Sequence, residues 1–245
     1  MSDAGGHTSG ASTRRDEATP RRAARAATAG RARGLVIFDC DGVLVDSMST
    51  DMRELTRAIA QAGGTMSVRE VDATFHGVAL ADIQRGVEAH LGRAVPEGWM
   101  DRFLAERAAA FERELRPIDG AAEALAGVRA AGWEACIASG GPHEKLDLTL
   151  HVAGLRDAVP AERIFSAYDV ARPKPAPDLF LHAAAVCGYA PTACVVVEDS
   201  VPGVMAGRAA GMRTFGRADG DARAARLTAL GAEPLADLRE LPARL

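Results

Sequence analysis

Residues 36–47 read VIFDCDGVLVDS, and with Leu35 in front the stretch opens as four apolar residues, LVIF, bounded by Gly34 and by the acids Asp39 and Asp41. A short, continuous apolar run that ends in polar residues is the pattern of a strand buried on both faces of a parallel sheet. Two acids directly after such a strand are costly, because desolvation and mutual repulsion both disfavour their charged forms. The pair calls for a cation or a chemical task; the plain alternative is turn-forming and capping duty in a loop.

Similar runs recur far along the chain, as WEACIAS at residues 133–139 and ACVVVEDS at residues 193–200. Helical patterns fall between and after them, at residues 121–131, 144–152, 177–187 and 202–210. This alternation predicts right-handed crossovers and an α/β fold, a Rossmann-like doubly wound parallel sheet. In such sheets ligands bind at the carboxyl ends of the strands, where strand order reverses. Asp39, Asp41, Ser139, Glu198 and Asp199 are therefore expected to gather there. Residues 47–118 show only helical patterns, at 51–62, 68–74, 80–91 and 98–115. They predict an all-helical insertion covering the strand ends, a cap, with residues 34–46 and 119–245 forming the α/β core.

Of the 245 residues, 48% are apolar and 25% charged, which is ordinary for a globular chain with a packed core. No run approaches the roughly 18 apolar residues that span a bilayer, and the N-terminus lacks the apolar centre of a signal peptide. A cytoplasmic protein without a membrane partner is expected. Residues 1–33 hold seven arginines, three acids and no large apolar residue beyond Met1, and cannot bury enough surface to fold. They read as a solvated basic tail, or else as an arm for an acidic partner. The tail's net charge is +4 and the whole chain's is −4, so residues 34–245 carry −8, which argues against nucleic acid as a partner. Cys40, Cys136, Cys187 and Cys194 lack C-x-x-C spacing and read as reduced thiols; Cys40, between two acids, is a poor nucleophile.

In order along the chain come D-x-D-G after a strand, a serine ending a second strand, a lysine within RPKPAP, and an ED pair ending a third strand. In this the chain resembles the haloacid dehalogenase superfamily, in its phosphatase and phosphomutase branch with a small helical cap, over residues 35 to about 220. The resemblance implies that Asp39 is a nucleophile forming an aspartyl-phosphate and that Asp41 is the general acid and base. It implies Mg²⁺ held by Asp39, by the main-chain carbonyl of Asp41 and by the Glu198–Asp199 pair, with Asp199 the more direct ligand. It makes Ser139 and Gly140 phosphate-binding and Lys174 the cation beside nucleophile and phosphoryl group. Lys174 stands out on composition as well, as one of two lysines beside 27 arginines. A compact ammonium fits where a guanidinium fork does not. The other lysine, Lys145, reads as a surface residue. Candidate substrate contacts are His76, Arg85 and His143, each of which could equally be solvated. The partner implied is a small phosphorylated metabolite, and the assembly a monomer or homodimer.

Three rivals share this frame. Displacement of halide needs neither Asp41 nor a metal, so dehalogenation leaves much of the constellation without use. The pattern is also similar to β-phosphoglucomutase, but the mutase histidine beyond the second aspartate corresponds, counted without gaps, to Asp51. The cap-loop arginine of that family corresponds to Leu80 in FHGVALAD. A hydrolase fits better, and residues 165–184 are similar to 6-phosphogluconate-type and related sugar-phosphate phosphatases. A non-catalytic phosphate-binding module would be expected to lack the nucleophile, yet Asp39 and Asp41 are both present.

Overall fold

Leu35–Phe38 forms strand β1 with every residue buried, as its apolar run predicts. The structure is a computed structural model that describes residues 32–245 apart from Gly77 and Ala79. The basic tail read over residues 1–33 lies outside the described residues except for Ala32 and Arg33.

β1 pairs in parallel with β2 (Glu134–Ser139) on one side and β4 (Cys194–Glu198) on the other. Three further strands complete the sheet: β3 (Ile164–Ser166), β5 (Arg213–Arg217) and β6 (Glu233–Leu235). The order β3-β2-β1-β4-β5-β6 is doubly wound, and it reverses at β1, so Asp39 stands at the switch point.

Alternate residues of β1 serve opposite faces, as strand geometry requires. Val36 and Phe38 pack in a cluster with Leu125 and Val128 of α5 (Ala121–Ala130) and Leu146 and Leu150 of α6 (His143–Val152). Leu35 and Ile37 join Leu179, Phe180 and Ala183 of α7 (Asp178–Cys187) and Ala206 of α8 (Val201–Ala209). A last helix, α9 (Asp221–Ala229), follows β5. Among the described residues no helix is long and apolar enough to cross a membrane. All four cysteines are free thiols, and burial, then Asp41 and Asp39, push the Cys40 thiol well up.

The insertion consists of α1 (Met48–Gln61), α2 (Val68–Phe75), α3 (Leu80–Leu91) and α4 (Trp99–Glu114). It has an apolar core of its own, in which Leu55, Ile59, Val71, Val87, Trp99 and Phe103 meet. The Trp99 indole N–H donates to the Ala58 carbonyl at 2.9 Å. Where the chain enters and leaves the insertion, the two crossings bond to each other: Asp46 N–H donates to Arg116 C=O at 3.0 Å, and Ile118 N–H to Leu44 C=O at 2.9 Å.

Candidate active site

Past β1 the chain turns sharply, with Gly42 at φ +76° and the Leu44 N–H donating to the Cys40 carbonyl at 2.8 Å. Glycine is required here twice over. It adopts the left-handed conformation without strain, and a Cβ would stand 2.0 Å from Oδ2 of Asp199. The carboxylate closing β4 is thereby laid against the loop that follows β1.

Lys174, in the loop before α7, donates to Oδ1 of Asp39 at 2.5 Å, to Oε1 of Glu198 at 2.7 Å and to the Ala138 carbonyl at 3.3 Å. Burial alone would lower its pKa, but the charges of Asp39 and Glu198 outweigh that and drive it up. Asp39 is raised as well, which for an acid favours the neutral form: burial lifts it well above the carboxylate range, Lys174 offsets this only in part, and Glu198, Asp41 and Asp199 add repulsion. Since Lys174 holds Oδ1, Oδ2 of Asp39 is the oxygen left to face the cavity.

Glu198 is occupied on both oxygens. Its Oε2 accepts from Asp199 N–H and Ser200 N–H, each at 2.8 Å, and from the Ser200 hydroxyl at 2.9 Å. It thus anchors Lys174 and ties down the chain just before α8, which the Ser200 hydroxyl caps by accepting from Gly203 N–H at 3.1 Å. Asp199 is nearly buried and is reached by Arg223 Nη2 at 2.7 Å. Burial and the charge of Glu198 still push it up to about 7, against the pull of Arg223.

Asp41 lies in a different field. Burial would raise it, but Lys145 at 3.0 Å and a hydrogen bond from the Ser47 hydroxyl bring it below the ordinary value. The Ser139 hydroxyl donates to its Oδ2 at 3.4 Å and accepts from Gly141 N–H at 3.2 Å. Ser166 fixes this loop by donating to the Gly141 carbonyl at 2.7 Å.

Lys145 corrects the expectation of a surface lysine. Its side chain is 11% exposed, and its ammonium bridges Oδ1 of Asp41 and Oδ2 of Asp51, 3.0 Å from each. The reason is topological: α6 starts at the strand ends, and α1 brings a carboxylate to meet it. Arg107 of α4 stands 3.6 Å from Oδ1 of Asp51. Sequence reasoning noted Asp51 only as the place of a mutase histidine and passed over Arg107, Arg217 and Arg223. Arg217 holds the Gly42 carbonyl at 2.8 Å.

Between the insertion and the strand ends lies a cavity of about 520 Å³. Asp39, Asp41, Ser139, Gly140, Lys174, Glu198 and Asp199 line one side. Met52, Leu55, Phe75, His76, Ile83, Phe103 and Arg107 line the other. Two candidate contacts are not brought to it. Arg85 is exposed and ion-paired with Asp82 at 2.7 Å, beside a shallow groove with Tyr168. His143 is half exposed and bound to Asp169 at 2.9 Å.

Among the described residues no three acidic, histidine or cysteine groups form a ready-made metal cage. Mg²⁺ takes one or two carboxylates and fills its shell with water and substrate phosphate. Asp39 and Asp199, both held toward their neutral forms by burial and repulsion, are the oxygen donors such an ion would relieve.

The sequence matches the haloacid dehalogenase-like hydrolases over residues 34–211, and the chain belongs to that family. It is a hydrolase. It is 34% identical over 181 residues to the 6-phosphogluconate phosphatase of Escherichia coli (strain K12), covering 74% of this chain and 80% of that one. It is 33% identical over 183 residues to hexitol phosphatase B of the same strain, covering 73% and 81%. Among solved structures, a haloacid dehalogenase family hydrolase from Deinococcus radiodurans R1, with bound phosphate and sodium, superposes with a TM-score of 0.70 at 33% identity, covering 87% and 95%.

Proposed function

We propose that the protein hydrolyses a small sugar-type phosphate monoester through an aspartyl-phosphate on Asp39. The observation that carries this reading is the meeting of Asp39, Asp41, Ser139 and Lys174, from remote parts of the chain, along one side of a single cavity. The relatives that act on 6-phosphogluconate and hexitol phosphates support the substrate class.

Oδ2 of Asp39 attacks phosphorus in line, the ester P–O bond breaks, and the leaving oxygen takes a proton from Asp41, which must first be protonated against the pull of Lys145. Asp41 then accepts a proton from water, the water oxygen bonds to phosphorus, and the bond to Asp39 breaks to give inorganic phosphate. Lys174 fixes the unreactive Oδ1 and bears on the phosphoryl charge, while Ser139 and the main chain at Gly140 and Gly141 orient the phosphate. Mg²⁺ held by Asp39, Asp199 and the Asp41 carbonyl would supply the positive charge that draws a phosphate dianion into an acidic site. A mutase reading has less support, since Asp51 stands where a histidine is expected and is tied up by Lys145.

The test is Mg²⁺-dependent phosphate release from p-nitrophenyl phosphate and from a panel of phosphorylated sugars, polyols and acids. Asp39→Asn is expected to abolish turnover. Retention of most of the activity by that variant would remove Asp39 from its role.

A further inference from the structure

We propose that Arg223 is a positioning residue that keeps one oxygen of Asp199 occupied and so selects Mg²⁺ against Ca²⁺ at the strand ends. This rests on the placement of the ion at Asp39 and Asp199 in the reading above, and adds the residue that decides which ion they take.

An arginine on an expected metal ligand calls for a reason, since it repels a cation and takes up an oxygen the cation could use. Arg223, in the first turn of α9, donates from Nη2 to Oδ2 of Asp199 at 2.7 Å and from Nε to the main-chain carbonyl of the same residue at 3.1 Å. Two bonds to one residue fix the direction of the guanidinium. On its other side Oδ2 lies against Gly42, too close for a side chain there. Gly42 is itself held by Arg217, which is buried and donates to its carbonyl at 2.8 Å. Oδ1 of Asp199 is turned away from this clasp and accepts no hydrogen bond among the described residues.

Another cation treats Asp39 in the same way. Lys174 holds its Oδ1 at 2.5 Å and leaves Oδ2 to the cavity. Glu198 has both oxygens engaged, Oε1 by Lys174 and Oε2 by the N–H and O–H groups just before α8. The acids that close β1 and β4 therefore offer an ion two carboxylate oxygens, one from Asp39 and one from Asp199.

That supply separates two hard cations. Mg²⁺ is satisfied by one or two carboxylates and completes its octahedron with water and phosphate, whereas Ca²⁺ takes about six to eight oxygens and often both of one carboxylate. The charge of Arg223 lowers the affinity for either ion alike. Its occupation of Oδ2 costs Ca²⁺ more, and disfavouring the wrong ligand is how such a preference is made.

The experiment follows Mn²⁺, an ion that also suits carboxylate and water oxygens, on the full chain by water-proton relaxation, and displaces it with Mg²⁺ or Ca²⁺. Arg223→Met is expected to tighten Ca²⁺ about tenfold more than Mg²⁺ by freeing one carboxylate oxygen. Arg223→Lys, which keeps a charged donor for Oδ2, is expected to retain most of the wild-type preference, and thermal melting without metal checks that both variants are folded. An equal gain for the two ions in Arg223→Met would leave charge repulsion alone and overturn the selection, as would unchanged affinities or a weaker hold on both. Asp199→Asn is expected to release Mn²⁺; unchanged binding by that variant would place the ion elsewhere and also overturn it. Failure to release phosphate from any ester, with the predicted shift in preference present, would remove the hydrolase reading and leave the role of Arg223 supported.

Discussion

Lys145 lies 3.0 Å from Oδ1 of Asp41 and 3.0 Å from Oδ2 of Asp51, so one ammonium joins the loop after β1 to the first helix of the insertion. Replacing it by Met leaves two nearly buried carboxylates without their shared cation. Breaking a buried ion pair from one side costs about 3 kcal/mol or more. Lys145→Met is expected to lower the melting temperature by about 6–12 °C and to reduce kcat at least tenfold by releasing Asp41. An unchanged melting curve would mean that this lysine is solvated after all.

Asp41 is assigned the proton traffic of both half-reactions. Asp41→Asn should still allow Asp39 to displace p-nitrophenolate, which leaves without a proton, but should stall hydrolysis of the acyl phosphate. The expected result is a burst of about one product per enzyme followed by slow turnover, with the chain gaining the mass of one phosphoryl group. Steady turnover without a burst would argue that another group activates the water.

Burial, then the charge of Glu198, push the carboxyl of Asp199 up to about 7 in the folded chain, against an ordinary value of 3.8. The folded chain therefore holds a proton that the unfolded chain gives up, and this group's contribution to stability falls as pH rises from about 4 to about 7. A cation bound at Asp199 displaces that proton and reverses the loss. The rise in melting temperature on adding Mg²⁺ should be small at pH 5 and largest near pH 8. A gain independent of pH would place the ion away from Asp199.

Gly203 sits inside α8, where alanine would ordinarily be favoured by about 1 kcal/mol. Here an added Cβ would stand 1.8 Å from Oε1 of Glu198, the oxygen that accepts from Lys174. Gly203→Ala is expected to be both less stable and less active, against helix propensity, as read by thermal melting and by kcat. A stabilised and fully active variant would show that Glu198 does not position Lys174.

The strands that carry the chemistry were the legible ones. β1, β2 and β4 are central, covered on both faces, and so appear as unbroken apolar runs. β3 and β6 are three residues each, and β5 begins and ends in arginine, so none of them stands out from a loop. Arg217 and Arg223 belong to that poorly legible part of the chain, which is why their hold on Gly42 and Asp199 was not foreseen. The motif residues Asp39, Asp41, Ser139 and Lys174 could be named because their order along the chain is itself informative. Lys145 could not, because nothing local distinguishes a lysine at a helix start from a solvated one. Its burial depends on acids contributed by two other elements. Arg85 and His143 were chosen as polar residues near the right loops, and each found a neighbouring acid instead.

The paired crossings at the foot of the insertion limit how this junction can change over time. Val45 is fully enclosed and forms a bridge with Pro117 on the opposite crossing. Adding or deleting one residue on either side would shift the register by a step and turn Val45 outward. Exposed positions such as Arg116 can drift freely by substitution, whereas the number of residues in each crossing is held fixed.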